Sequence, residues 1–136
     1  MTAKEYLNQT YRLNDKIESN LRQVEVLEAK ATKVTVSFGE KVQSGEKNSA
    51  EQLYIMLIEA KEKLNAETVR YVNTKEEIKE TIDKVTDPDE NLILTLRYIE
   101  FMRWEEIAET MHFSQTQLFR IHREALKSVE YLISRQ

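Results

Sequence analysis

The sequence has 136 residues, a net charge of −4 at pH 7, two Gly, one Pro and no Cys. So few helix-breaking residues favour long helices. The absence of Cys excludes disulfides and thiolate metal sites, and no apolar stretch approaches the roughly 18 residues that a membrane span needs. The N-terminal residues lack the apolar core of a signal peptide, so we expect a cytoplasmic protein with no membrane partner.

Positive charge is distributed unevenly along the chain. Residues 1–90 contain 14 Lys and Arg against 18 Asp and Glu, whereas residues 91–136 contain six of each. Within residues 114–128, Arg120, Arg123 and Lys127 are accompanied by one acidic residue, Glu124. Proteins that bind nucleic acid regardless of sequence are usually strongly basic overall. The charge pattern therefore confines any predicted DNA contact to this short segment.

Residues 2–33 are predicted to form a long amphipathic helix. Mostly apolar residues recur at spacings of three and four from Ala3 to Val34. Asn20 interrupts this heptad pattern with a polar side chain of the kind that can fix helix register. Gly, Ser and Asn are concentrated in residues 35–49, which predicts a loop.

A second long helix is predicted after this loop, with Ser49 as its N-cap and Gln52 completing a capping box. It is predicted to end before Pro88. Ile58 and Ile82 broaden its apolar stripe. The stripe itself consists of Ala50, Leu53, Leu57, Ala60, Leu64, Tyr71, Ile78 and Val85. Residues 1–86 are therefore predicted to form an antiparallel, coiled-coil-like helical hairpin that dimerises or binds another protein.

Three shorter helices are predicted in residues 87–136. Asp87 caps the first, and a turn follows near residues 100–103. Ser114 caps the last helix after a turn in which His112 takes the left-handed position that Gly usually occupies. Ala108 supplies the small residue that two closely crossing helices need. The predicted fold is all-α, with a trihelical helix-turn-helix domain after the hairpin.

Residues 91–130 resemble region 4 of sigma-70 family factors, the module that reads the −35 promoter element. The matching segments are Leu96-Arg97-Tyr98, Trp104–Ala108, Ser114 and Arg120–Leu126. The whole chain is similar to small phage and prophage proteins of Gram-positive bacteria described as sigma-like or late-gene transcriptional regulators. Nothing in the sequence resembles sigma region 2, so the resemblance implies a promoter-reading module and not a complete sigma factor.

The resemblance implies that residues 114–128 form a recognition helix that enters the major groove of double-stranded DNA. It also implies RNA polymerase as a second partner. By position, Arg120 is placed to read guanine, and Phe119 either covers a thymine methyl or packs against the helical arm. The predicted DNA-binding residues are Arg103, Ser114, Gln115, Thr116, Phe119, Arg120, Arg123 and Lys127.

No catalytic, cofactor or metal site is predicted. The sequence contains no phosphate-binding Gly loop, nucleophile elbow or catalytic triad signature, so we expect no enzyme activity. His112 and His122 lie ten positions apart without Cys, which does not fit a zinc site. Two alternatives to transcription regulation stay open: a DNA-packaging subunit resembling phage small terminases, and a helical interaction protein that does not bind DNA.

Overall fold

The computed structural model describes residues 1–38 and 44–136, with side chains for residues 1–33 and 49–136. Within these ranges every regular element is helical and no strand occurs, which confirms the all-α prediction. The α-helices are α1 (Ala3–Phe38), α2 (Ser44–Asp83), α3 (Pro88–Leu94), α4 (Trp104–Met111) and α5 (Gln115–Ser134). A π-helical turn, Thr95–Ile99, follows α3 directly. None of the described helices combines the length and the apolar character that crossing a bilayer requires.

The predicted loop over residues 35–49 is wrong at both ends. Helix α1 continues to Phe38 and α2 begins at Ser44, so Ser49 lies inside α2 and is not its N-cap. The middle of the predicted loop, residues 39–43, lies outside the described residues. Single Ser or Asn residues cost a helix well under 1 kcal/mol each, and an established helix extends through them cooperatively.

The chain divides into two compact units. The first unit consists of Met1–Leu13 and Tyr71–Gln136, and the second consists of Asn14–Arg70. Both long helices contribute residues to both units. The domain boundary predicted between residues 86 and 87 stays a prediction.

The second unit consists of the remaining parts of α1 and α2. Val24 and Ala31 are buried on the predicted stripe of α1, and Asn20 is 6% exposed with no hydrogen-bond partner for its Nδ2 among the described residues. Two ion pairs join the helices. Lys16 Nζ lies 3.1 Å from Glu67 Oε1, and Lys61 Nζ lies 3.0 Å from Glu28 Oε1.

The predicted stripe of α2 is correct except at Ile58. Leu53, Leu57 and Leu64 are half-buried as predicted. Ile58 is 56% exposed, so its assignment to the buried stripe is wrong. Successive helix residues are rotated by about 100°, which moves Ile58 away from Leu57 and toward the solvent side of α2.

The first unit contains two clusters of buried apolar side chains. One cluster brings the first turns of α1 together with the end of α2, α3, the π-helical turn and α5: Ala3, Leu7, Ile78, Ile82, Val85, Leu94, Tyr98, Ala125 and Val129. The other joins α3, α4 and α5 through Ile93, Leu96, Ile107, Ala108 and Leu118. Helix α5 contributes to both clusters, so its orientation within the first unit is fixed along most of its length.

The predicted start of α3 is confirmed. Asp87 is the N-cap, and its side chain accepts hydrogen bonds of 3.0 Å from the backbone N–H groups of Asp89 and Glu90. The turn predicted near residues 100–103 is also confirmed, and it follows the π-helical turn directly. Phe101 within it has a φ of 59°, a left-handed conformation that is uncommon for a bulky residue.

Candidate functional site

The turn between α4 and α5 has the backbone geometry that the sequence predicts. His112 ends α4 in a left-handed conformation, with φ of 59° and ψ of 39°. The N–H of Phe113 donates to the carbonyl of Ala108 at 3.0 Å, which closes the end of α4. Because a left-handed residue reverses the chain at a helix end, only three residues separate the end of α4 from the start of α5.

Ser114 forms the predicted capping box at the start of α5. Its Oγ accepts a 3.2 Å hydrogen bond from the N–H of Gln117, and Gln117 Oε1 accepts one of 3.1 Å from the N–H of Ser114. These two bonds satisfy backbone donors that a helix start otherwise leaves open. The first turn of α5 is therefore well defined although its side chains are exposed.

One side of α5 is exposed and polar. Gln115, Thr116, Arg120 and Arg123 are all exposed. Together with Phe119 and Lys127 they lie at helical spacings of three and four, so they share one side of the helix, hereafter the α5 face. Neither Arg120 nor Arg123 forms an ion pair among the described residues. The face therefore carries positive charge that is not neutralised by the first unit.

Two other predicted contact residues form surface ion pairs. Arg103 Nε lies 2.7 Å from Glu106 Oε1, and Lys127 Nζ lies 3.2 Å from Glu124 Oε1. Both basic side chains are more than 70% exposed, at 77% and 74%. Exposed pairs of this kind contribute at most about 1 kcal/mol, so both cations are free to exchange their carboxylate for another anion.

Phe119 packs against Trp104 of α4. Their ring centroids are 5.3 Å apart in an edge-to-face arrangement, and 42% of Phe119 stays exposed. Both contacts predicted for Phe119, with a thymine methyl and with the helical arm, stay predictions. Trp104 itself is half-buried beside the second cluster.

Sequence reasoning did not identify an aromatic network centred on Arg97. The guanidinium carbon of Arg97 lies 4.5 Å from the ring centroid of Trp104 and 5.2 Å from that of Tyr11, and Nη1 donates to the carbonyl of Met102 at 3.1 Å. The hydroxyl of Tyr11 donates to the carbonyl of Arg97. Tyr11 lies outside the predicted heptad stripe, so no periodicity in the sequence indicated this contact.

His122 is buried between the two clusters. It is 8% exposed, and its Nε2 lies 2.8 Å from the Tyr98 hydroxyl in a hydrogen bond. Its ring is edge-to-face with Trp104 at 4.7 Å. Burial lowers the pKa of His122 to about 4, and the positive charges of Lys4 and Arg97 act in the same direction. Burial also raises the pKa of Tyr98 to about 12. Both groups are neutral at pH 7, so this pair is part of the packing.

Among the described residues, no group of three or more His, Asp or Glu side chains is arranged to hold a metal ion. The α5 face presents exposed amide, hydroxyl and guanidinium groups, which can form hydrogen bonds and ion pairs.

Comparison with known proteins gives one family. A profile described as protein of unknown function, DUF1492, matches residues 31–130. The chain belongs to this family. The DUF1492 match contains all eight predicted DNA-binding residues and the whole of α2, and it does not extend to the first turns of α1. No curated protein and no solved structure matches the chain.

Proposed function

We propose that this DUF1492 protein is a sequence-specific DNA-binding transcription regulator of phage or prophage type. Residues 87–136 form a helix-turn-helix domain like sigma region 4, and α5 is its recognition helix. Residues 1–86 form a helical hairpin arm through which the protein associates with a second copy. RNA polymerase is the further partner that the resemblance to region 4 implies.

The α5 face is the observation that carries this proposal. It presents a side-chain amide, a hydroxyl and two guanidinium groups on one side of a capped helix, through Gln115, Thr116, Arg120 and Arg123. Neither guanidinium has an ion-pair partner among the described residues. Arg pairs with guanine, and Gln with adenine, through two hydrogen bonds each in the major groove. The opposite side of α5, with Leu118, is fully buried, so the helix is held rigidly while this face stays open.

The ion pairs of the second unit support the hairpin arm. Lys16 pairs with Glu67, and Glu28, further along α1, pairs with Lys61, earlier on α2. An antiparallel hairpin requires this order of contacts. Dimerisation through the arm doubles the number of recognition helices. A protein with net charge −4 needs such a gain, because one α5 face neutralises few phosphates.

Selection from a random double-stranded DNA pool, followed by titration of the selected site, tests this function. We expect Arg120→Ala to weaken binding by about 1–3 kcal/mol and to relax specificity at one base pair. We expect Lys127→Ala to weaken binding to all sequences alike and to reduce the salt slope by about one. Arg22→Ala is the matched control, because Arg22 is exposed on α1 outside the proposed DNA-binding domain.

Three outcomes would contradict the proposal. Wild-type affinity of both Arg120→Ala and Arg123→Ala would show that the α5 face does not read DNA. No enrichment of any sequence at low salt would favour a plain interaction protein. Assembly into rings in solution would favour a DNA-packaging subunit.

A further inference from the structure

A second apolar stripe runs along the solvent side of α2, separate from the stripe that packs inward. Ile55, Ile58 and Val69 are 55%, 56% and 53% exposed. Val72, three residues after Val69 on the same helix, is 51% exposed. Isolated exposed apolar residues are normal, but a row of them on one side of a helix marks an interaction surface.

The two middle positions of this outer stripe are polar. Glu62 and Asn65 are exposed and lie between Ile58 and Val69 at the same alternating spacing of four and three. The stripe therefore reads apolar, apolar, polar, polar, apolar, apolar in either direction along the helix. A surface with this symmetry is complementary to itself when a second copy runs in the opposite direction.

We infer that the outer stripe of α2 binds the same stripe of a second copy of this chain in antiparallel orientation. A two-fold axis then passes between Glu62 and Asn65. Ile58 packs on the partner's Val69, and Ile55 packs on the partner's Val72. The Asn65 amide donates a hydrogen bond to the carboxylate of the partner's Glu62, and the two-fold axis repeats this bond.

Charge decides between the two possible orientations. A parallel pair in the same register would place the two Glu62 carboxylates opposite each other at the centre of the contact, where like charges are destabilising. The antiparallel pair places each carboxylate opposite an amide donor instead. A polar centre of this kind also fixes the register of helices whose apolar positions would tolerate sliding.

Self-association is part of the proposed function, and this pairing rests on that part alone. Its tests contain no DNA, so their failure is distinguishable from failure of the α5 face to read DNA. Failure of the α5 face to read DNA is likewise distinguishable from failure of the pairing, because Arg120→Ala leaves the outer stripe unchanged.

Sedimentation of the full chain over a range of concentrations tests the surface. We expect a reversible dimer whose dissociation constant rises about tenfold or more in the Ile58→Glu, Val69→Glu double variant, because four carboxylates then enter an apolar contact. Met56→Glu is the control, since Met56 is 50% exposed on the same helix but points away from the stripe. Circular dichroism verifies that each variant keeps its helices. A monomeric wild-type chain, or a double variant that dimerises like the wild type, would overturn the inference.

Disulfide formation tests the orientation, because the chain has no Cys of its own. We expect a mixture of Ile55→Cys and Val72→Cys chains to form disulfides mainly between the two different variants. In the antiparallel pair the two copies of position 55 lie about 25 Å apart along the helix axis, far beyond the roughly 7 Å that a disulfide spans. Efficient disulfide formation by Ile55→Cys with itself would indicate a parallel dimer and overturn the assignment.

Discussion

Burial makes the imidazole of His122 sensitive to acid, with the positive charges of Lys4 and Arg97 acting in the same direction. In the folded protein the pKa of His122 is about 4, whereas its ordinary value is 6.5. Between these two values the unfolded chain binds a proton at His122 that the folded protein does not bind. Protonation therefore favours the unfolded chain across this window.

We expect the free energy of unfolding to fall as the pH is lowered from about 6.5 to about 4, with a contribution from His122 of at most about 1.4 kcal/mol per pH unit. Above this window the contribution of His122 is complete, and below it nothing further is lost. Urea titrations at several pH values measure the effect. The control is His122→Phe, which cannot titrate. The stability difference between wild type and His122→Phe should change across this window, and a constant difference would contradict the assignment.

At the scale of single residues, the sequence was informative where the deciding interactions are local. The capping box of Ser114 and the left-handed His112 were predictable because both depend on residues within four positions. The contacts of Tyr11 with Arg97, and of Tyr98 with His122, were not predictable from the sequence. They join residues 86 and 24 positions apart, and no pattern of spacing encodes such pairs.

At the scale of elements, α5 depends on its first turn. We expect Ser114→Ala to lower the free energy of unfolding of the first unit by about 1 kcal/mol, because the N–H of Gln117 loses its acceptor. Thermal unfolding followed by circular dichroism measures the change. Ser134→Ala, at the other end of α5, is the control, since the Ser134 hydroxyl only donates to the carbonyl of Tyr131. Equal stability of Ser114→Ala and wild type would show that the cap is dispensable.

The long helices show how composition and cooperativity compete in setting helix length. Gly, Ser and Asn residues predicted a loop over residues 35–49, but both ends of that range are helical. Residues 35–38 and 44–49 are helical although their composition favours a loop. Each such residue opposes the helix by about 1 kcal/mol or less, and a helix that already exists has no further nucleation cost when it continues.

At the scale of the whole molecule, the first unit draws its core from segments far apart in the sequence. Leu7 is fully buried together with Ile78 and Val129. We expect Leu7→Ala to lower the free energy of unfolding of the first unit by about 2–5 kcal/mol. Fluorescence of Trp104, the only Trp in the chain, reports this unfolding from the other end of the sequence.

Leu21→Ala is the control for this experiment, because Leu21 is 44% exposed on the same helix. Its effect should stay below about 1 kcal/mol. If Leu7→Ala left the unfolding transition reported by Trp104 fluorescence unchanged, residues 87–136 would be independent of the first turns of α1. The predicted domain boundary implies such independence.

The heptad pattern of α1 did not predict that its first turns pack against α5. Periodicity identified the buried side of α1, including Ala3 and Leu13, and that side is buried in the structure. A periodic stripe indicates which side of a helix needs a partner, but it carries no information about the partner itself. Because α2 follows α1 in the sequence, the hairpin prediction assigned α2 as the partner of α1. For Ala3 and Leu7, however, the buried cluster also includes Ala125 and Val129 of α5.

The proximity of Ala3 to Glu130 also has a consequence for the order of folding. The N–H of Ala3 donates to Glu130 Oε2 at 3.4 Å, across a separation of 127 residues. During synthesis, at about 5–20 residues per second, Leu7 leaves the ribosome on the order of ten seconds before its partners on α5 exist. Contacts between such distant segments slow folding relative to helical proteins with mostly local contacts. The first helical turn to be made is therefore among the last to be packed.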